Sequence, residues 1–117
     1  MQPLEVERDV RAEAVVVTVQ GEVDSLSVET LTTHLSSARE SALGHPEQLV
    51  IIDLSAVSYF GSAALNAVLS CHEDGSAEGT TVLLVADQPY VLQPIEITRL
   101  DRVLKTYPTI DAALQDR

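Results

Sequence analysis

One cysteine, no tryptophan and a single phenylalanine stand among the 117 residues. With Cys71 alone, no disulfide closes within the chain and no multi-cysteine metal site forms. Phe60 and the three tyrosines, Tyr59, Tyr90 and Tyr107, are too few and too dispersed to make base-stacking platforms. The five glycines are isolated, which removes the Gly-rich loops that cradle phosphates. His34, His45 and His72 have no spacing that puts two ligands on one helix face, so no metal and no cofactor are expected. No apolar run reaches the roughly 18 residues of a membrane span. The opening MQPLEVERDV has no basic start leading into an apolar stretch, so a secretory leader is not expected and a cytoplasmic location is the default. Positive charge is scarce as well: seven basic residues face eighteen acidic ones, for a net charge of −11. Arg8, Arg11, Arg39, Arg99, Arg102, Lys105 and Arg117 are scattered, so nucleic acid is not expected as a partner.

What is present is a set of short apolar segments with two periodicities. Residues 4 to 10 alternate, with Leu4, Val6 and Val10 on one side, as in a strand with one wet face. A tight connection at Arg11–Glu13 leads to a second strand over 14 to 20. GEVDSLSVETL then turns into a helix. Ser27 reads as its N-cap, with Leu26 and Leu31 spaced for a hydrophobic staple. Val28, Leu31, Leu35, Ala38 and Ala42 keep helical spacing until Gly44-His45-Pro46. LVIIDLS, residues 49 to 55, is apolar at consecutive positions, which predicts a central parallel strand buried on both faces.

A helix is expected over 62 to 73, a loop at 75 to 79, and a second buried strand over 80 to 87. Pro89 suits the first turn of a third helix, which Pro94 should kink or keep short. Residues 102 to 107 suit an edge strand, and Pro108-Thr109 begins a last helix with Ile110, Ala113 and Leu114 inward. Strand and helix alternate after residue 20. The class is therefore α/β, a mixed sheet of about five strands flanked by about four helices, in one domain over residues 1 to 117.

The helix opened by Ser62 has two faces at about 100° per residue. Leu65, Val68, Leu69 and His72 form the core face; Ala63, Asn66, Ala67 and Ser70 form a face of small side chains, which either packs closely or accepts a partner. Ser62 has two readings. As a helix-start serine it caps free backbone donors, an interaction of about 1 kcal/mol. As a modification site it would carry about −1.5 to −2 charges as a phosphoserine, tolerated by the helix dipole yet disruptive to a docked partner. A serine nucleophile does poorly: FGSAA has the strand-to-helix position of a nucleophile elbow but lacks the second glycine of G-x-S-x-G, and no histidine is placed as a base. Cys71 reads as a small helical hydrophobe.

The order of elements, with GEVD (21–24), LVIIDLSAVSYFGSAAL (49–65) and EITRLDRVLKTYPTIDAAL (96–114), resembles the STAS domain, specifically the bacterial anti-sigma factor antagonists. The resemblance implies a partner-switching module of stress-responsive transcription rather than an enzyme. In such proteins the unphosphorylated antagonist binds an anti-sigma factor that is also an ATP-dependent serine kinase, and so releases the sigma factor. Phosphorylation of a serine at the start of this helix ends the contact, and a phosphoserine phosphatase restores it. The family pattern D-S-[ST]-G places the phosphoacceptor on Ser62. Here Gly61 replaces the acidic residue, Ala63 the Ser or Thr, and Ala64 the Gly, while Arg99 stands where the family commonly has glycine.

The partner surface implied is Ser58, Tyr59, Phe60 and Gly61 in a loop over 57 to 62, the face of Ala63, Asn66, Ala67 and Ser70, and Asp24 adjacent. A homodimer through the small helix face is the other partner this reading allows. Asp24 either sits near the acceptor, as the family places it, or steadies its own turn; Asp53 orders the loop through backbone amides. The alternative is a STAS scaffold, free of any phosphorylation switch, in a larger signalling or lipid-transport assembly.

Overall fold

The computed structural model describes residues 3–116. In chain order the elements are β1 (Glu5–Val10), β2 (Val15–Val23), α1 (Val28–Leu43), β3 (Leu49–Phe60), α2 (Ser62–Glu78), β4 (Thr81–Val85), α3 (Pro89–Ile97), a single 3-10 turn (Leu100–Arg102), β5 (Thr106–Tyr107) and α4 (Ile110–Asp116). The strands lie side by side in sequence order. β1 runs antiparallel to β2, and every other pair is parallel. This is the expected α/β class with a mixed sheet.

The central strands are apolar at consecutive positions because helices cover both faces. Val15, Val17 and Val19 of β2, with Val50 and Ile52 of β3, look into the larger core under α1, α2 and α3. Val16, Leu49, Ile51, Leu83 and Val85 look the other way, toward Ala113 of α4. Each such side chain removed from water contributes roughly 2 kcal/mol. β1 keeps one wet face: Leu4 and Val6 pack on the larger core, but Val10, at the hairpin end where the Arg11 N–H donates to the Ala14 carbonyl, stays 62% exposed.

Several boundaries differ from the sequence reading. β3 does not stop at Ser55; it continues to Phe60, with Leu54, Val57 and Phe60 buried at every third position. The register with β2 shifts twice, between Thr18 and Gln20 and between Gly21 and Glu22, so β3 carries extra residues against its partner. Gly21 takes φ 91° at the second shift. α2 runs past the expected stop at residue 73 to Glu78, and Gly75 lies inside it, buried. The stop is Gly79, left-handed at φ 82°, whose N–H reaches the Ser76 carbonyl while the Thr80 N–H reaches that of Gly75. β4 is shorter than expected, and the segment before β5 holds the 3-10 turn instead of a long edge strand. The staple across Ser27 is absent: Leu26 is 93% exposed.

Pro89 occupies the first turn of α3, and the helix, with Pro94 inside, is nine residues long. Arg99 follows it in the left-handed region at φ 62°. A side chain there costs roughly 1–2 kcal/mol against glycine's free access to the same region. The expected outcome for Arg99→Gly is stabilisation of about 1 kcal/mol, read as a higher midpoint in urea with an unchanged slope.

Candidate functional site

At the carboxyl ends of β2 and β3 the chain leaves the sheet twice in parallel. Val23 pairs with Phe60, so Asp24 and Gly61 emerge side by side. In open α/β sheets this edge is where ligands and partners meet the fold.

Asp24 settles its own turn. One carboxylate oxygen accepts the backbone N–H groups of Leu26 (2.9 Å) and Ser27 (3.0 Å) and the Ser27 hydroxyl (3.1 Å), while the Asp24 N–H donates to Ser27 Oγ (3.1 Å). Ser27 makes no cap bond to the helix it precedes; the cap is the reciprocal Asp24–Ser27 pair, one turn earlier than expected. The N–H groups of Ser27 and Leu26 hold the Asp24 carboxyl below its ordinary 3.8. A depressed folded value means its stabilisation is complete above the unfolded value and fades as pH falls through the folded one. Asp24→Ala is therefore expected to lower the thermal midpoint at neutral pH, by an amount that shrinks once the pH drops below 3.8. Parallel melts across pH check it.

The acceptor position is built differently from the sequence expectation. Gly61, extended at φ −92°, is the N-cap of α2 and offers no side chain to the helix donors. Ser62 is the first helical residue and is exposed. Its hydroxyl makes no hydrogen bond among the described residues. The capping reading of Ser62 is corrected accordingly: the free N–H groups of the first turn are left open.

Tyr59 folds over Gly61. A Cβ built on Gly61 would stand 2.8 Å from the Tyr59 hydroxyl and 3.1 Å from its ring, so the phenol fills the place where a side chain at 61 would begin. Ser58 and Tyr59 are exposed, but Phe60 is 5% exposed and turned into the core. Ser58, Tyr59 and Phe60 are strand, not loop, because the bulged β3 keeps its ladder with Glu22 and Val23.

The buried face of α2 differs from the expected one. The core side of α2 is Ala64, Leu65, Val68, Cys71 and Gly75, with Leu69 and His72 only half-buried. Ala63 and Ala67 are half-buried, and Asn66 and Ser70 exposed, along a shallow groove of about 240 Å³ between α2 and α1. The groove floor is closed by Arg39, whose guanidinium reaches Glu78 at 2.5 Å and Asp74 at 3.7 Å. Burial pushes the Cys71 thiol up to about 11, so it is no nucleophile at neutral pH.

Asp53 accepts the Ser55 N–H (3.0 Å) and hydroxyl (2.6 Å), so it steadies the first bulge inside β3 and not the loop before Ser62 that the sequence reading gave it. Gln88 was not foreseen: its amide donates to the carbonyls of Leu54 (2.8 Å) and Val57 (3.2 Å), taking over where β4 ends. Leu26 was read as one side of a staple and not as part of this surface. Its only signal was an apolar residue among polar ones at a helix start, and it stands exposed beside Asp24.

The model of the STAS domain family matches residues 5–113. The osmosensory protein A of Mycobacterium tuberculosis is 35% identical over 80 residues, 68% of this chain and 48% of that protein, so the chain spans about half of that relative's length. A second protein of the same organism, bearing the name anti-anti-sigma factor Rv2638, is 31% identical over 101 residues, 86% of this chain and 67% of its own. Among solved structures, an anti-sigma factor antagonist from Mycobacterium paratuberculosis superposes with a TM-score of 0.87 at 29% identity, covering 97% of this chain and 93% of that one.

Proposed function

The chain belongs to the STAS domain family, and from that premise we propose that it is an anti-sigma factor antagonist, a binding module without a reaction of its own. In this reading the unphosphorylated form holds a cytoplasmic anti-sigma factor with serine kinase activity and so frees a sigma factor. Phosphorylation of Ser62 ends the contact, and a phosphatase resets it.

The observation that carries the reading is Ser62 itself. It is an exposed hydroxyl with no hydrogen-bond partner among the described residues, first in a 17-residue helix that no side chain among them caps. A phosphoryl group there is met by free N–H groups and the positive end of the helix dipole, so the domain keeps its fold. A partner docked over the same spot must either pair two new charges or bury them unpaired, and the second course costs several kcal/mol. A modification the fold absorbs and the complex does not is a switch. The surface taking the partner would be Asp24, Leu26, Ser58, Tyr59 and Gly61 with the outer side of Ala63, Asn66, Ala67 and Ser70, while Phe60 supports it from below.

The second reading, a phosphorylation-independent scaffold, is favoured by one feature. Gly61 removes the carboxylate that relatives have beside the acceptor, and the Tyr59 phenol occupies that side. Mixing the purified protein with candidate anti-sigma kinases and ATP, then mapping phosphate by intact and peptide mass spectrometry, separates the two. One phosphate on Ser62 with loss of binding supports the switch; a stable complex with no phosphate supports the scaffold.

A further inference from the structure

Three of the seven basic residues, Arg99, Arg102 and Lys105, fall close together in a chain whose net charge is −11. All three are exposed, and among the described residues none of them joins an ion pair. Two apolar side chains stand out beside them: Ile97 is 79% exposed and Val103 44%. The segment lies at the amino end of the sheet, because α3 runs back from the carboxyl end of β4 and β5 is parallel to β4. Val103 and Lys105 accordingly sit near Leu49 and Thr81, the first residues of β3 and β4. Asp24 and Gly61 leave the sheet at its opposite end.

The turn sorts these side chains. The Arg102 N–H donates to the Arg99 carbonyl at 3.4 Å, and the Val103 N–H to that of Leu100 at 2.9 Å. At three residues per turn, side chains three apart align. Arg99 and Arg102 therefore share one side, Leu100 and Val103 a second, and Asp101 takes the third. Glu96 and Asp101 are the carboxylates of the segment, and among the described residues neither pairs with the three cations. Arg99 stands at φ 62°, a conformation glycine enters freely and a side chain enters at a cost. No ion pair among the described residues offsets that strain. Strain held without an internal contact points to a group that acts outward.

We propose that Arg99 and Arg102, with Ile97 and Val103 beside them, dock an acidic stretch of another protein that carries apolar side chains between its carboxylates. The arginine pair takes the carboxylates in charge-assisted hydrogen bonds, and Ile97 and Val103 cover the apolar side chains. A nucleic acid or an anionic membrane fits less well. A chain of charge −11 is repelled as a whole by an extended polyanion, whereas a short stretch brings few charges. The proposal does not depend on Ser62 or on the partner met there, and the two ends of the sheet can be occupied together.

The test is a two-dimensional amide NMR titration with the blocked peptide EELLEE, against QQLLQQ as the neutral control and KKLLKK as the cationic one. Saturable shifts are expected at Ile97, Arg99, Arg102 and Val103, with a Kd of about 1 mM and QQLLQQ about tenfold weaker. Arg99→Gly separates a docking role from a structural one: it should raise the urea midpoint and yet weaken EELLEE binding by about tenfold. Arg102→Gln should weaken it by a similar factor, and added salt should weaken it in the parent. Unchanged affinity in Arg99→Gly, equal binding of either control peptide, shifts centred elsewhere, or no shift up to about 10 mM would each overturn the proposal. Co-sedimentation with phosphatidylserine vesicles, without peptide binding, would overturn it in favour of a membrane.

Discussion

Gly75→Val should cost about 3 kcal/mol of unfolding free energy, although glycine is a poor helix residue and the site lies in a helix. A Cβ at this position stands 2.9 Å from Val82 Cγ2 and 3.2 Å from the Thr80 carbonyl oxygen. Val82 is 3% exposed and β-branched, so its methyl has nowhere to turn. The carbonyl belongs to backbone that is itself tied down, because the Thr80 N–H donates to the Gly75 carbonyl at 2.7 Å. With both neighbours fixed, the last turns of α2 must lift from β4. Chemical denaturation reads the effect directly. Gly75→Ala carries the same Cβ and should also lose stability, by less than valine, because its helix-propensity gain of about 1 kcal/mol offsets part of the clash and it adds no further methyls. A stable Gly75→Val would mean that α2 shifts along β4 without loss.

The second large effect concerns binding. Ser62→Glu is expected to weaken the complex with the anti-sigma partner by about 100-fold, near 2.7 kcal/mol, while the thermal midpoint hardly moves. The two halves of that expectation have one origin. A single negative charge in the first turn of a helix is favourable by roughly 0.3–1 kcal/mol while it faces water. The same charge is penalised when a partner covers it. Ser62→Ala should bind like the parent and take no phosphate. Calorimetric titration against the purified partner checks both variants, and equal affinities for all three proteins would favour the scaffold reading.

The alternation of strands and helices was legible in the sequence, since consecutive valines and isoleucines in β2 and β3 are what two covered faces demand. The end of β3 was not. Leu54, Val57 and Phe60 are spaced by three, which fits neither the strand period of two nor the helix period of 3.6. Only the two register shifts against β2 turn all three to the same core, and nothing local in the sequence announces a shift set by a neighbouring strand.

The two glycines of GSAEG misled in a similar way. Both look like loop residues, yet Gly75 is there because β4 is close and Gly79 because the helix must stop. For the site, Ser62 and Asp24 could be singled out from the chain alone. The cap at Gly61, the exposure of Leu26 and the phenol of Tyr59 over Gly61 depend on side-chain directions that spacing does not encode.

β3 outruns its neighbour. From Val50 to Asp53 it is paired with a strand on both sides, but from Ala56 to Phe60 β2 is its one strand partner, helped by the Gln88 amide. Free energy of opening is therefore graded along a single strand. Detaching its first half breaks two ladders and exposes both cores, which amounts to unfolding the domain. Detaching its last half breaks one ladder and uncovers little beyond Val57 and Phe60. Segments of the second kind open far more often than the whole molecule does. The stretch that ends in Gly61 and Ser62 can thus peel away as an extended strip, the form in which another protein's catalytic cleft accepts a chain, while the rest of the sheet stays shut.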